Sequence, residues 1–411
     1  MTAIAPVDQP VIVVGAGPVG LTAAYVLARS GVRILVLEAG EVPSIEWRAS
    51  TFHPPTLELY DTVDLSDDML SAGLIARHFQ MRDRQGGLFA EFDLDILAND
   101  TRFPFRLQYE QYKLVRLIQS RLAELPNAEI RFGHRVVGVD QSRDRANVHV
   151  EHAGRRSTLG GAFLLGADGA SSAVRKSLGI GFPGLTYEDR FLLLSTTFPF
   201  EQHLPGIRHV NYIADPEEYM MLLRIPDVWR VLFSVRPGEE EKALTPAEGE
   251  RRLQRVVASD APYEVVQRQI YRVHQRVAER MQVGRVFLLG DAAHVNSPFG
   301  GMGLNSGVHD AFDLARRLER VLVHDGDLEG LEAYGHRRRD IAVNHVQAQT
   351  HRNTNELAER DPALRRRNQA AMAAIADDPV RAREWLLDAA MLRQVREQGI
   401  GDEKSIGVGH S

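Results

Sequence analysis

A four-residue apolar run, Val11-Ile12-Val13-Val14, ends in Gly15-Ala16-Gly17-Pro18-Val19-Gly20, and this junction restricts the fold more than any other stretch of the chain. An unbroken apolar run that stops at glycine reads as a strand buried on both faces, as a parallel sheet covered by helices requires. Pro18 suits a first helical position, alanines and leucines fill the stretch to Ser30, and Gly31 stops the helix. Arg33–Leu37 is a second buried strand that closes a strand–helix–strand unit. At this spacing Gly15 permits the tight turn, Gly17 lets a pyrophosphate approach the backbone, and Gly20 lets the helix pack on the strand. Free N–H groups and a partial charge of roughly +0.5 at the helix start then hold phosphates. Glu38 lies 18 residues beyond Gly20, at the end of the second strand, where a carboxylate receives two ribose hydroxyls. The unit predicts a bound dinucleotide, without separating NAD from FAD.

Two further blocks follow buried strands. Phe163–Gly166 runs into Ala167-Asp168-Gly169-Ala170-Ser171-Ser172-Ala173-Val174-Arg175. Taken alone, this block is a sharp Asp-Gly turn with Ser172 capping the next helix. Val283–Leu289 delivers Gly290-Asp291-Ala292-Ala293-His294, and Pro298-Phe299-Gly300-Gly301-Met302-Gly303-Leu304-Asn305 then opens a long helix to Val323. A carboxylate at the end of a strand can hydrogen-bond a polyol. Bare N–H groups at the helix start suit a planar ring carrying negative charge, as reduced flavin does.

Elsewhere, apolar residues at Leu114, Leu117, Ile118, Leu122 and Leu125 predict a helix from Tyr109 to Leu125. Strands are expected at Glu129–Asp140 and Asn147–His152, and Phe191–Arg236 reads as mostly antiparallel strands with turns at Pro205-Gly206, Asp215-Pro216 and Pro226-Asp227. After Tyr334 the pattern is helical, broken at Asp361-Pro362 and Asp378-Pro379, with fraying expected from Gly399. Arg365-Arg366-Arg367 reads as a solvated helix face. A formal charge of −6, spread without a basic stripe, argues against nucleic acid as a partner. The absence of cysteine excludes disulfides, thiolate metal sites and cysteinyl nucleophiles. Met1–Gln9 lacks a basic leader, and no stretch approaches the ~20 apolar residues of a membrane span, so a cytoplasmic protein is expected. No metal is expected: His294, three residues after Asp291, has no third ligand in view and reads as packing at the turn. Met220 and Met221 read as core filling.

Together the three blocks, in this order, resemble the class A FAD-dependent aromatic monooxygenases, the para-hydroxybenzoate hydroxylase-like group, from about Val11 to Val323. The resemblance implies an α/β fold: a discontinuous Rossmann-like FAD-binding domain (residues 1–74, 106–181 and 275–345), an inserted, mainly antiparallel-sheet substrate domain (75–105 and 182–274), and a helical C-terminal segment (346–411). It implies that Gly15, Gly17, Pro18 and Gly20 bind the FAD pyrophosphate and Glu38 the adenosine ribose. Arg48 would contact FAD and help control flavin position, and Gln111 would lie near the FAD linker. Asp168 and Gly169 would serve both FAD and the pyridine nucleotide. Asp291 would bind the ribityl chain, and Gly303, Leu304 and Asn305 would meet the flavin ring through backbone N–H groups. Arg48, Pro298, Leu304 and Asn305 form the expected catalytic set.

The implied activity is hydroxylation of a small phenolic or N-heteroaromatic molecule with NADH or NADPH and O2, through a flavin C4a-hydroperoxide. The chain resembles the compact, single-component members, without the thioredoxin-like domain of the larger phenol hydroxylases. A homodimer is compatible with the helical C-terminal segment. No substrate signature stands between Leu185 and Arg280; Tyr212 and Arg224, with His209, are the candidates for orienting a phenolate or carboxylate, against the plainer reading as strand residues. The alternatives are an epoxidase or Baeyer–Villiger oxygenase on the same fold, or a non-catalytic dinucleotide-binding sensor. Trp229 stands alone, which disfavours a halogenase, and a plain NAD dehydrogenase leaves the Asp291 block unexplained.

Overall fold

The computed structural model describes residues 9–45, 47–324, 326, 328–397 and 399–400. Its first layer is a six-stranded sheet in the order Gln282–Val283, Val286–Leu288, Phe163–Gly166, Val11–Val14, Ile34–Leu37, Ala128–Arg131. All pairs are parallel except the outermost, Gln282–Val283 against Val286–Leu288. Every residue of the three central strands is buried, which is why they read as unbroken apolar runs. Chain order reverses on either side of Val11–Val14, so a crevice opens at the carboxyl end of that strand. The helix Pro18–Arg29 packs between the long helix Met302–Val323 and the helix Gln111–Ala123.

Two expected strands are broken by glycines. Glu129–Asp140 is interrupted at Phe132–His134, where Gly133 takes a φ of 68°. Ala128–Arg131 joins the parallel sheet, whereas Arg135–Gln141 pairs with Ala146–His152 and Arg155–Gly161 in a separate three-stranded sheet. Val283–Leu289 is a tight hairpin turning at Gly284, with a φ of 56°. A left-handed glycine reverses or redirects a strand that hydropathy alone reads as continuous.

The second layer is an eight-stranded sheet ordered His294–Val295, Val265–Val277, Gly184–Thr196, Trp229–Val235, Met220–Arg224, Val210–Ala214, His78–Asp83, Gly87–Asp93. Its pairs are antiparallel except Val210–Ala214 with His78–Asp83. The strand Val265–Val277 crosses residue 275 without a break. One face meets the C-terminal helices, where Trp385 stacks on Phe92 at 4.4 Å between ring centroids. Those helices start at the two Asp-Pro steps: Asp361 accepts from the N–H groups of Ala363 and Leu364, and Asp378 from those of Val380 and Arg381. Arg366 and Arg367 are exposed, but Arg365 reaches Asp83 at 3.6 Å, so only part of that arginine run is a free surface. Between the two layers lies a small sheet of Thr51–Phe52, Arg106–Gln108 and Leu74–Ala76. Among the described residues no helix is long and apolar enough to cross a membrane.

Candidate active site

A cleft of about 640 Å³ opens at the carboxyl end of Val11–Val14. At one end the three glycines divide the work. A Cβ on Gly15, whose φ is 104°, would meet the Ala167 carbonyl oxygen at 2.5 Å, and one on Gly20 would lie 2.1 Å from the Gly15 oxygen. Both positions exclude a side chain on steric grounds. A Cβ on Gly17 meets nothing within 4 Å, because the space above it belongs to the cleft. Gly17 is also the N-cap of its helix and has no side-chain cap, so the first-turn N–H groups remain available for phosphate oxygens. Glu38 accepts from the Ala16 N–H at 2.7 Å and the Gly40 N–H at 2.8 Å, stitching the loop while its other lone pairs face the cleft.

In the middle, Asp168 Oδ2 accepts from the Ala173 and Val174 N–H groups at 2.7 and 3.1 Å. Its Oδ1 is buried and has no partner among the described residues. Ser172 accepts from the Arg175 N–H at 2.9 Å, so the turn-and-cap reading holds while one oxygen of Asp168 is left for a ligand. Arg175 donates to the Ala170 and Ala292 carbonyls at 2.8 Å and lies over the Phe182 ring at 3.8 Å. It ties this turn to the Asp291 turn.

At the other end, Gly290 takes a φ of 54° and the chain makes a single turn that presents Asp291 to the cleft. The Asp291 side chain has open surface, yet the protein packed around it withdraws enough water to raise its carboxyl above the usual range, against the pull of His294 and Arg48. The turn is held from behind. Asp310 accepts from the Gly290 N–H at 3.0 Å, meets His294 Nε2 at 2.7 Å, and accepts from Arg338 Nε at 2.5 Å, all buried. Burial opposes the charge on Asp310, but Arg338 and His294 overcome it and hold the carboxyl at about 2. His294 is therefore a structural partner of Asp310, and among the described residues no cluster could hold a metal ion. The long helix begins at Gly301 with no side-chain cap, and Gly303 and Leu304 in its first turn line the cleft.

The cleft thus gathers Gly15, Gly17, Pro18, Glu38, Arg48, Gln111, Asp168, Gly169, Asp291, Gly303 and Leu304. Six expected residues are not in its lining, among them His209, whose Nδ1 lies 3.3 Å from the Ile75 carbonyl. Gly20 is buried in the helix–strand contact. Pro298 lies outside the lining, and its carbonyl accepts from the Gly301 N–H at 3.0 Å. Asn305 is fully buried; it accepts from the His53 N–H and donates to the Thr51 carbonyl, each at 2.9 Å, so it locks the long helix to the small sheet. Tyr212 accepts from buried Arg106 at 3.1 Å on the sheet face turned toward the small sheet. Arg224, an odd number of positions from Met221, the register partner of Tyr212, falls on the opposite face.

Sequence reading missed Phe132, His134 and Arg135, which line the cleft beside Glu38 and became visible only once Gly133 broke the strand. It also missed Arg230. This buried guanidinium donates to the carbonyls of Arg48 and of Trp47, the latter at 3.1 Å, and so fixes the loop that carries Arg48. An arginine alternating with apolar residues in a strand carries no signal of that task.

The residues present fit FAD. Open space over Gly17 suits a pyrophosphate, the unpartnered Asp168 oxygen lies midway, and Asp291 with an uncapped helix start forms the far end. Residues 8–349 match the family described as the FAD binding domain. The chain is 34% identical to the para-nitrophenol 4-monooxygenase of Pseudomonas sp. (strain WBC-3), over 93% of this chain and 95% of that protein. It is 37% identical to the 6-hydroxy-3-succinoylpyridine 3-monooxygenase HspB of Pseudomonas putida (strain DSM 28022 / S16), over 79% of this chain and 82% of that one. The crystal structure of the p-nitrophenol 4-monooxygenase PnpA from Pseudomonas putida DLL-E4 superposes with a TM-score of 0.88 at 32% identity, covering 96% of this chain and 99% of that one. With a cleft built for this cofactor and these likenesses along nearly its whole length, the chain belongs to the FAD-dependent aromatic monooxygenases of the FAD binding domain family.

Proposed function

We propose that the chain is a single-component monooxygenase that hydroxylates a small phenolic or N-heteroaromatic compound, using FAD, O2 and NADH or NADPH. The observation that supports it most is that one cleft joins a phosphate-binding turn at Gly15–Gly20 to an acid and an uncapped helix start at Asp291 and Gly301–Leu304. A plain NAD dehydrogenase has no use for the second end. FAD, when bound, supplies the activation of O2 and accepts electrons from the nicotinamide donor.

The protein's part is binding, orientation and exclusion of water. Gly17 and the first turn of its helix receive the phosphates, Glu38 the ribose, and Asp168 the linker through its free oxygen. Asp291 hydrogen-bonds the polyol chain. The N–H groups of Gly303 and Leu304 stabilise negative charge on the ring, and Arg48 adds a positive charge from the other wall. Asn305, Pro298 and Arg230 set these groups in place. Phe191, Tyr219 and Phe299, with ring centroids 5.4–5.8 Å apart, pack as a buried apolar cluster between the substrate sheet and the loop before the long helix. The inserted sheet is the substrate unit in this reading.

The purified protein should be yellow, and an aromatic substrate should accelerate its oxidation of NADH or NADPH and gain one oxygen atom by mass. Colourless protein that takes up no added FAD would end the proposal, and FAD-loaded protein that no phenol or hydroxypyridine stimulates would leave only a binding module.

A further inference from the structure

The small sheet between the two layers carries a set of buried polar atoms that nothing described above employs. Thr51 pairs with Gln108 and Phe52 with Leu107, so the next position along sets His53 opposite Arg106. Alternation then places His53, Arg106 and Gln108 on one face. His53 and Gln108 are fully buried and Arg106 is 3% exposed. Arg106 donates to Tyr212 and lies over the Phe79 ring at 4.3 Å, so this face looks toward the aromatic side of the substrate sheet.

Each of the three leaves one bond unmade. Arg106 Nε and Gln108 Nε2 are donors without an acceptor, and Arg106 has no ion-pair partner among the described residues. Gln108 Oε1 is occupied by the Thr51 hydroxyl at 3.0 Å, so only its amide nitrogen is free. His53 Nε2 lies 2.8 Å from the Gly300 carbonyl, which can only accept. The ring proton is therefore on Nε2, and Nδ1, which has no partner, is a bare acceptor. Native interiors rarely leave two donors, one acceptor and an uncompensated cation together unless a ligand completes them. Through Gly300 and Asn305 the set abuts the start of the long helix, beside the end of the cleft assigned to the flavin ring.

We propose that Arg106, Gln108 and His53 are the oxygen-binding end of the substrate site, and that they take a phenolic hydroxyl: Arg106 Nε and Gln108 Nε2 donate to its oxygen while His53 Nδ1 receives its proton. The inference rests on the hydroxylase reading above. The O–H bond breaks, an Nδ1–H bond forms, and the electron pair stays on oxygen and spreads into the ring, which makes ring carbons more nucleophilic toward an incoming oxygen. The group also sets the substrate class. Burial, Arg106 and the nearby His309 all disfavour a charged His53, the Gly300 carbonyl being the one contact in its favour, so it is a weak base. Donation from Arg106 and Gln108 favours the phenolate, and a phenol acidified by electron-withdrawing substituents yields its proton to such a base most readily.

The test uses the FAD-loaded protein and 4-nitrophenol, whose anion absorbs in the visible. Below the probe's solution pKa, wild-type protein should bind it as the phenolate, and 4-nitroanisole, which has no proton to give, should bind at least about tenfold more weakly. Arg106→Met should abolish the phenolate band, and His53→Asn should bind the probe in its protonated form, both with FAD retained. Equal binding of the phenol and its ether by wild type, or an unchanged phenolate band in both FAD-loaded variants, would overturn the assignment. The comparison of the two ligands needs no variant, so a substitution that fails to fold leaves the test decisive. Failure of the wild type to take up FAD counts against the function itself, whereas FAD-loaded wild type that does not ionise the probe counts against this site alone.

Discussion

The turns at Gly15–Gly20 and at Gly290–His294 line one cleft but are held together by different forces. The first is made of backbone: two positions where a side chain cannot fit, one left open for a ligand, and a helix start with nothing capping it. The second is made of charge: Asp310, brought in from the middle of a long helix, grips the turn on both sides of Asp291 and is itself neutralised by Arg338 from the following helix. Absence of side chains builds the first turn, and remote side chains build the second. A backbone turn is specified by neighbours in sequence; a charged clamp exists only after three distant segments have packed.

That contrast can be broken by substitution. Asp310→Asn should have the largest effect, because it strands the buried Arg338 and His294, and removing one partner of a buried charged group costs about 3–5 kcal/mol. Chemical denaturation at neutral pH should report that loss. The effect should depend on pH. The folded carboxyl is held at about 2, below the ordinary value of about 3.9, so its contribution is complete above about pH 4 and fades as the pH falls toward 2. The gap between wild type and Asp310→Asn should therefore narrow in acid, and a gap unchanged at about pH 2.5 would contradict the clamp.

Asp291→Ala should come next, weakening FAD retention by about 10- to 100-fold through loss of a charge-assisted hydrogen bond, with little change in melting temperature. Full flavin occupancy in that variant would remove Asp291 from the site. Gly20→Ala forces a methyl group to within 2.1 Å of the Gly15 oxygen, and overpacking of this kind costs about 1–3 kcal/mol. Its thermal midpoint and its FAD content should fall together. Gly17→Ala should be the mildest for the fold, at under about 1 kcal/mol, because its methyl enters open space. It should nevertheless release FAD readily, since that space is the proposed seat of the pyrophosphate. A stable Gly17→Ala protein with normal FAD affinity would erase the distinction between the two glycines.

Local pattern carried a good deal of the molecule. Apolar runs marked the central strands, and the two Asp-Pro steps marked the breaks between C-terminal helices, because each of these is decided within a few residues. It failed where one residue overrides its neighbours, as Gly133 and Gly284 do in segments that hydropathy reads as continuous strand. It failed again where the face of a strand matters. Tyr212 and Arg224 looked equivalent, and sheet register put them on opposite sides. Arg106, Arg230, Asp310 and Arg338 attracted no notice, because a buried charge looks like any surface charge until its partners are known.

By itself, then, the amino-acid order determined the parallel core and most of the glycines and acids that line its cleft, since glycine sterics, helix starts and strand ends are local properties. Only the tertiary structure decided which remote charges hold those groups, which side of the inserted sheet looks inward, and which buried donors and acceptors are left for a substrate. Hydrogen-bond satisfaction and desolvation are properties of three-dimensional neighbours, and in this fold those neighbours lie as many as 296 residues apart along the chain.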